Sequence, residues 1–199
     1  ASLTALMGVV LLFIGRGAEK QLGRRDGYVI VTVAWLAFSL FGMLPFYLSG
    51  YIPSITNAFF ETMSGFSSTG ATILNAIEKL THGLLFWRSM TQWIGGLGIV
   101  FFTIAVLPIF GVGGIPVFAA EASGPTHDKV HPRIGITAKW IWGIYAGLTG
   151  TLIILLMFGG MNIFDSICHA FATTSTGGFS TKQASIEYYH SPYIEYVIS

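Results

Sequence analysis

Charge is scarce in this 199-residue chain. Ten Lys and Arg stand against nine Asp and Glu, so charged side chains make up 10% of the residues and the formal net charge is +1. Water-facing domains carry about 25% charged residues, so this sequence cannot cover a solvated surface of its own size, and a cytoplasmic enzyme is excluded. The near-zero balance leaves no basic face for nucleic acid. Cysteine is almost missing: Cys168 stands alone, which rules out an internal disulfide. What the chain does have is apolar side chains, 53% of the residues, and 25 glycines. The mean hydropathy is +0.68. These are the proportions of an all-α, multi-pass membrane protein with an excess of glycine to be explained.

Crossing a bilayer takes about 20 mainly apolar residues. Three uncharged runs are long enough: residues 28–49, 89–109 and 140–160. Residues 1–15 read as the last part of another spanning helix. They lack the basic flank and cleavage site of a signal peptide. Basic residues in short loops mark the cytoplasmic side. Arg16, Lys20, Arg24 and Arg25 cluster in 16–27, and Lys129, Arg133 and Lys139 in 111–139. Two spans separate these segments, so both fall on one side, assigned to the cytoplasm. Trp87, Trp93, Trp140, Trp142 and Tyr28 sit near span ends, where interfacial anchors belong.

Between the first two spans, PSITNAFFETMSGF is helix-like but only about 14 residues long, reaching roughly 20 Å, too short to cross. It runs into Ser67-Ser68-Thr69-Gly70-Ala71-Thr72, small and hydroxyl-rich. A short half-helix followed by irregular small residues predicts a re-entrant loop, tolerated at membrane depth only where it is buried or lines a water-filled cavity. The pattern recurs as NIFDSICHAFAT followed by Thr174-Ser175-Thr176-Gly177-Gly178-Phe179. Aligning the Ser-Thr-Gly triplets pairs Gly70 with Gly177, an offset of 107 residues. The same offset carries the first span onto the third and Trp87 onto Ile194, where a new apolar stretch begins. The sequence therefore predicts a parallel repeat of helix, re-entrant half-helix, loop and helix.

The C-terminal end of a half-helix carries partial negative charge and favours a cation. The loops beyond add hydroxyls and backbone carbonyls but no carboxylate, which suits a monovalent ion stripped of its water. The backbone carbonyls of Ser68, Thr69, Ser175 and Thr176 are the candidate K⁺ ligands, with Gly70, Ala71, Gly177 and Gly178 completing the two filter loops. Glu61 is placed to hydrogen-bond loop amides from behind, and Asn162 and Asp165 to cap the second half-helix. Cys168 and His169 read as packing residues of that half-helix. Gly143 and Gly147 form a small-xxx-small face for helix packing, and Gly95, Gly96 and Gly98 permit close approach. Arg88 reads as an interfacial or loop-pairing residue.

The runs FFETMSGFSSTGATIL, WRSMTQWIGGLGIVFFTIAVLP, AEASGPTHDKVHPRI and HAFATTSTGGFST resemble the Trk/Ktr/HKT superfamily of potassium transporters, the bacterial TrkH-type membrane subunit in particular, along nearly the whole chain. The resemblance implies K⁺-channel-like tandem M1–re-entrant pore loop–M2 repeats, four in one polypeptide and pseudo-fourfold about one pore. Residues 28–110 would be the first repeat, 111–139 a cytoplasmic linker, and 140–199 most of the second. It further implies that the loop glycines, matched to Gly70 and Gly177, determine selectivity, and that glycine rather than serine there favours K⁺. A homodimer in the bacterial inner membrane, a cytoplasmic nucleotide-binding ring that gates it, and no organic cofactor are implied as well. Two loops cannot close a ring of four, and the chain starts at Ala1 without methionine, so it is expected to be part of a longer subunit.

Two other chemistries bear on the same residues. A secondary transporter with broken helices, coupling K⁺ to H⁺ or Na⁺, would bind its cargo at the midplane, though such proteins commonly show inverted repeats. His127 and His131 stand at i, i+4, a spacing that can hold Zn²⁺ with Asp128 as a base. Pro125 and Pro132 leave that pair about one helical turn.

Overall fold

The computed structural model describes residues 24–106 and 131–199, together with the isolated positions 5, 8, 9 and 13. The expected end of a preceding helix, most of the loop 16–27, much of the linker and His127 lie outside the described residues. All regular structure among the described residues is helical. Helix α1 (Arg24–Gly42) and the short α2 (Leu44–Leu48) share one apolar run, interrupted where Pro45 withholds a backbone donor. Helix α3 (Ile55–Phe66) has 12 residues and α4 (His82–Val106) has 25. The second half follows with α5 (His131–Phe158), the 12-residue α6 (Ile163–Thr174) and α7 (Pro192–Ile198).

The stretches Val29–Leu48 and Lys139–Phe158 are long and apolar enough to cross a membrane. At 12 residues α3 and α6 extend only about 18 Å each, which is insufficient. Both start on side-chain caps. Ser54 accepts the Asn57 N–H at 3.4 Å, and Asn162 accepts the Asp165 N–H at 2.8 Å. Three helices begin earlier than their apolar runs: α1 at Arg24, α4 at His82 and α5 at His131. A helix satisfies its own backbone whatever its side chains are, so it continues into polar sequence that a hydrophobic span excludes.

The two halves are joined by α4, which packs on α3 of its own half and on α5 and α6 of the next. Trp93 is central to that contact. Its ring stacks on Phe171 with centroids 5.1 Å apart, its indole N–H donates to Thr149 at 3.0 Å, and its carbonyl accepts the Tyr145 hydroxyl at 3.0 Å. Trp87 donates to the Gly42 carbonyl at 2.9 Å. These two tryptophans therefore take part in helix packing, with their indole N–H groups on protein acceptors. Trp140 and Trp142 do remain exposed.

The glycines divide in the same way. A β-carbon on Gly95 would overlap the Phe66 carbonyl, and one on Gly96 would come within 2.8 Å of Ser175. Gly143 and Gly147, expected on a helix-packing face, have nothing within 4 Å of a built β-carbon among the described residues. Toward the proposed outer end, Phe46, Ile52, Ala58, Leu84 and Leu85 form an apolar cluster. There the Gln183 N–H donates to Glu78 at 2.8 Å, tying the halves together and holding that carboxyl below its usual range.

Two predictions follow from these contacts. Gly95→Ala forces α3 and α4 apart at a backbone contact and should cost about 1–3 kcal/mol, the range for overpacking, whereas Gly143→Ala, unopposed in a helix interior, should hold or raise the thermal unfolding midpoint in detergent. Because the Glu78 pKa is depressed on folding, its contribution is present above the ordinary carboxylate range and lost as pH falls through the folded value. The protection factor of the Gln183 amide should therefore drop on acidification, and Glu78→Gln should flatten that dependence.

Candidate functional site

The last turns of α3 and α6 end alike, and their geometry defines the site. In the first loop the Ser68 N–H donates to Gly65 O at 3.0 Å and the Thr69 N–H to Ser64 O at 3.0 Å. In the second, the Thr176 N–H donates to Thr173 O at 2.9 Å and the Gly177 N–H to Ala172 O at 2.8 Å. Each pair is a Schellman motif, in which a left-handed residue folds the chain back onto the last carbonyls of the helix. The left-handed residues are Ser68 (φ 54°) and Thr176 (φ 55°), where glycine is usual. Non-glycine residues in that region cost about 1–3 kcal/mol, strain that gathers at functional sites.

Capping has a direct chemical consequence. In a trans peptide the N–H and the preceding C=O point in opposite directions. With the N–H groups of Ser68, Thr69, Thr176 and Gly177 turned back on the helices, the carbonyls of Ser67, Ser68, Ser175 and Thr176 point away from them. Neutral oxygens thus project beyond two helix C-termini, whose dipoles favour positive charge.

The match between loops corrects the register read from sequence. The caps Ser67 and Ser175, the left-handed Ser68 and Thr176, and the glycines Gly70 (φ 76°) and Gly178 (φ 78°) all pair at 108 residues, not 107. Gly178 is the structural counterpart of Gly70; Gly177 corresponds to Thr69, and Ala71 to Phe179. The Ser-Thr-Gly triplets mislead because conformation, not identity, sets the equivalence. Ser175 terminates α6 as Ser67 terminates α3, and its carbonyl accepts the hydroxyl of Thr176 at 2.7 Å. The Ser67 carbonyl, in the hydroxyl-rich stretch but not among the named candidate ligands, points the same way as that of Ser68.

The loops touch. A β-carbon on Gly70 would overlap the Gly177 carbonyl oxygen, whereas one on Gly178 would meet nothing within 4 Å. Both glycines have positive φ, so side chains there are strained whatever the space.

Behind the loops lies a buried ion pair. Glu61 and Arg88 are 1% and 2% exposed, with Arg88 Nε donating to Glu61 at 2.7 Å. The carboxylate also accepts the Thr72 hydroxyl at 2.8 Å and the Ile73 N–H at 3.0 Å. Arg88 reaches across to the second loop, donating through Nη1 to the Ser180 carbonyl at 2.9 Å and standing 3.6 Å over the Phe179 ring. Of the two readings of Arg88, the loop-pairing one holds: its guanidinium joins Glu61 of α3, which anchors the first loop, to Ser180 and Phe179 of the second. A lone cation immediately before an apolar span was the available signal.

In the second half His169 stands at the position of Glu61, and Ser180 at that of Thr72. His169 Nδ1 donates to the Asp165 carbonyl at 2.8 Å, so Nε2 of the neutral ring accepts the Ser180 hydroxyl at 2.9 Å. Nearby, Asp165 accepts the Thr181 hydroxyl at 2.6 Å and the Asn162 amide at 2.8 Å. Both carboxylates, Glu61 and Asp165, are thus engaged behind or beyond the loops. Among the described residues no group of three or more His, Cys, Asp or Glu could hold a metal ion, and His131 opens α5.

Comparison with known proteins places these features in context. The TrkH family profile, described as a cation transport protein, matches residues 2–199. The chain is 45% identical over 195 residues to the Trk system potassium uptake protein TrkH of Escherichia coli K12, covering 97% of this chain and 40% of that protein. It is 44% identical to the TrkH protein of Halomonas elongata, covering 99% of this chain and 41% of the relative. The crystal structure of the potassium transporter TrkH from Vibrio parahaemolyticus superposes with a TM-score of 0.78 at 37% identity, over 95% of this chain and 39% of that one. The chain thus spans about two fifths of the length of the relatives it matches.

Removing one member of a buried ion pair typically costs about 3–5 kcal/mol, while exchanging both for neutral groups costs far less. Arg88→Met should therefore lower the thermal unfolding midpoint strongly, and Glu61→Gln/Arg88→Met should be more stable than Arg88→Met alone. Purely additive losses would show that the two groups are not coupled.

Proposed function

Because the chain belongs to the TrkH family of cation transport proteins, we propose that its two loops are re-entrant pore loops forming half of a K⁺ selectivity filter in a longer subunit. Family membership and the two long apolar helices make it a multi-pass protein of the bacterial inner membrane, and a transporter rather than an enzyme. The observation that carries the filter reading is the pair of Schellman-capped half-helices whose loop carbonyls face away from the helix ends. Carbonyl oxygens replace the water shell of a monovalent ion and still release it. K⁺ is the cargo on this reading, and the chemistry calls for no organic cofactor. Glu61 and Asp165 act as supports, since their oxygens are already held by Arg88, Thr72, Thr181 and Asn162.

The contact between the loops supports a pseudo-fourfold ring. The glycine of the first loop abuts the Gly177 carbonyl of the second, while the equivalent direction from Gly178 is open. Repeating that contact through two further loops would close the ring, with Thr69 offering its carbonyl to the last glycine. On the same reading the complete subunit forms a homodimer, gated on its cytoplasmic side by a nucleotide-binding ring near residues 111–139.

The test is K⁺ and Na⁺ flux in vesicles carrying the complete subunit. Gly70→Ser and Gly178→Ser should each lower the K⁺ over Na⁺ ratio, and unchanged ratios in both would overturn the filter assignment. Gly177→Ser should instead reduce the yield of folded protein, because its side chain would run into Gln92.

A further inference from the structure

Gln92 lies one turn beyond Arg88 on the same face of α4 and is fully buried, at 0% exposure. Its Oε1 accepts the Phe179 N–H at 3.1 Å. Only the amide oxygen can accept that hydrogen, so the orientation of the group is fixed and Nε2 is turned the other way. Nε2 has no partner among the described residues. The amide is wedged behind the seam between the loops: a β-carbon on Gly177 would overlap it, and one on Gly70 would lie 4.0 Å from Nε2. A buried amide group without a partner gives up its hydration for nothing in return, so the placement of this side chain carries a standing penalty at the contact between the loops.

The geometry leads further. Across the trans peptide joining Gly178 to Phe179, an N–H aimed at Gln92 turns the Gly178 carbonyl away from α4. We propose that Gln92 is a positioning residue for ion discrimination: by holding the Phe179 N–H and abutting Gly177, it sets the direction of the Gly178 carbonyl and its spacing from the first loop. The proposal rests on the reading of these loops as a filter. A residue of the first repeat thereby tunes the ion-coordinating backbone of the second. Selectivity depends on the number and placement of coordinating carbonyls, so loss of this acceptor should show in discrimination before it shows in throughput.

The experiment measures the K⁺ over Na⁺ flux ratio in vesicles carrying the complete subunit. Gln92→Leu and Gln92→Met keep the volume and remove the acceptor; each should lower the ratio roughly tenfold, the scale expected when a buried N–H is left unsatisfied, with K⁺ flux persisting. Gln92→Glu keeps an oxygen for the Phe179 N–H and should restore most of the ratio. Replacing Phe179 by its α-hydroxy analogue phenyllactate, which exchanges the amide for an ester, removes the donor while leaving Gln92 intact. It should reproduce the loss even if the Leu and Met variants fail to accumulate. An unchanged ratio with the ester, or with Leu and Met, overturns the proposal, as does an equal loss in Gln92→Glu. Gly178→Ser, run alongside, separates the two readings. If it lowers the ratio while the Gln92 and ester variants do not, only the role of Gln92 falls; if it and Gly70→Ser both change nothing, the filter itself is wrong.

Discussion

A guanidinium sealed between two loops is the constraint around which this molecule is arranged. Burying Arg88 and Glu61 strips both of water, a cost that attraction alone often fails to offset. Here further partners share the load: Thr72 and Ile73 bind the carboxylate, Ser180 binds the guanidinium, and the Phe179 ring covers one of its faces. Each partner belongs to one of the two loops. The ion pair is therefore held from both loops, and α4 carries it from one half to the other.

The repeat is conserved in backbone and relaxed in side chains. Both half-helices end in the same pair of capping hydrogen bonds, and both loops alternate between ordinary and left-handed conformations. Their anchors differ. A carboxylate receives a threonine hydroxyl in the first half, and an imidazole receives a serine hydroxyl in the second. The same backbone curve is thus held once by a charge that needs a counter-ion and once by a neutral ring that does not. Arg88 consequently has its counter-ion on the half-helix of the first half and only a carbonyl and an aromatic face in the second loop.

Much of the fold was legible because it is written in local composition. The half-helices were placed to within a residue or two, since apolar runs there stop abruptly at hydroxyl-bearing residues. Helix starts at Arg24, His82 and His131 were not legible, because apolar runs report where lipid begins rather than where backbone bonding begins. The two loops were legible as a matching pair, but displaced in register. Nothing in Ser68 or Thr176 announces a left-handed residue, so matching letters paired Gly70 with Gly177 when matching conformations pair it with Gly178. Contacts such as those from Arg88 to Ser180 and from Gln92 to Phe179 span more than eighty residues of chain and have no local signature. Gly143 and Gly147 carried a packing signature without a packing partner among the described residues.

The crossing of α4 also imposes an order of events during synthesis. Arg88 and Gln92 leave the ribosome well before Phe179 and Ser180, so the first loop can close on its ion pair while the groups meant for the second loop are still waiting. Chains fold largely from the N-terminus as they emerge. The finished first half therefore acts as a mould, and the arrival of the second loop is what dries the guanidinium. A chain cut between the halves would keep Glu61 beside Arg88 but lack the Ser180 carbonyl and the Phe179 ring that complete its surroundings.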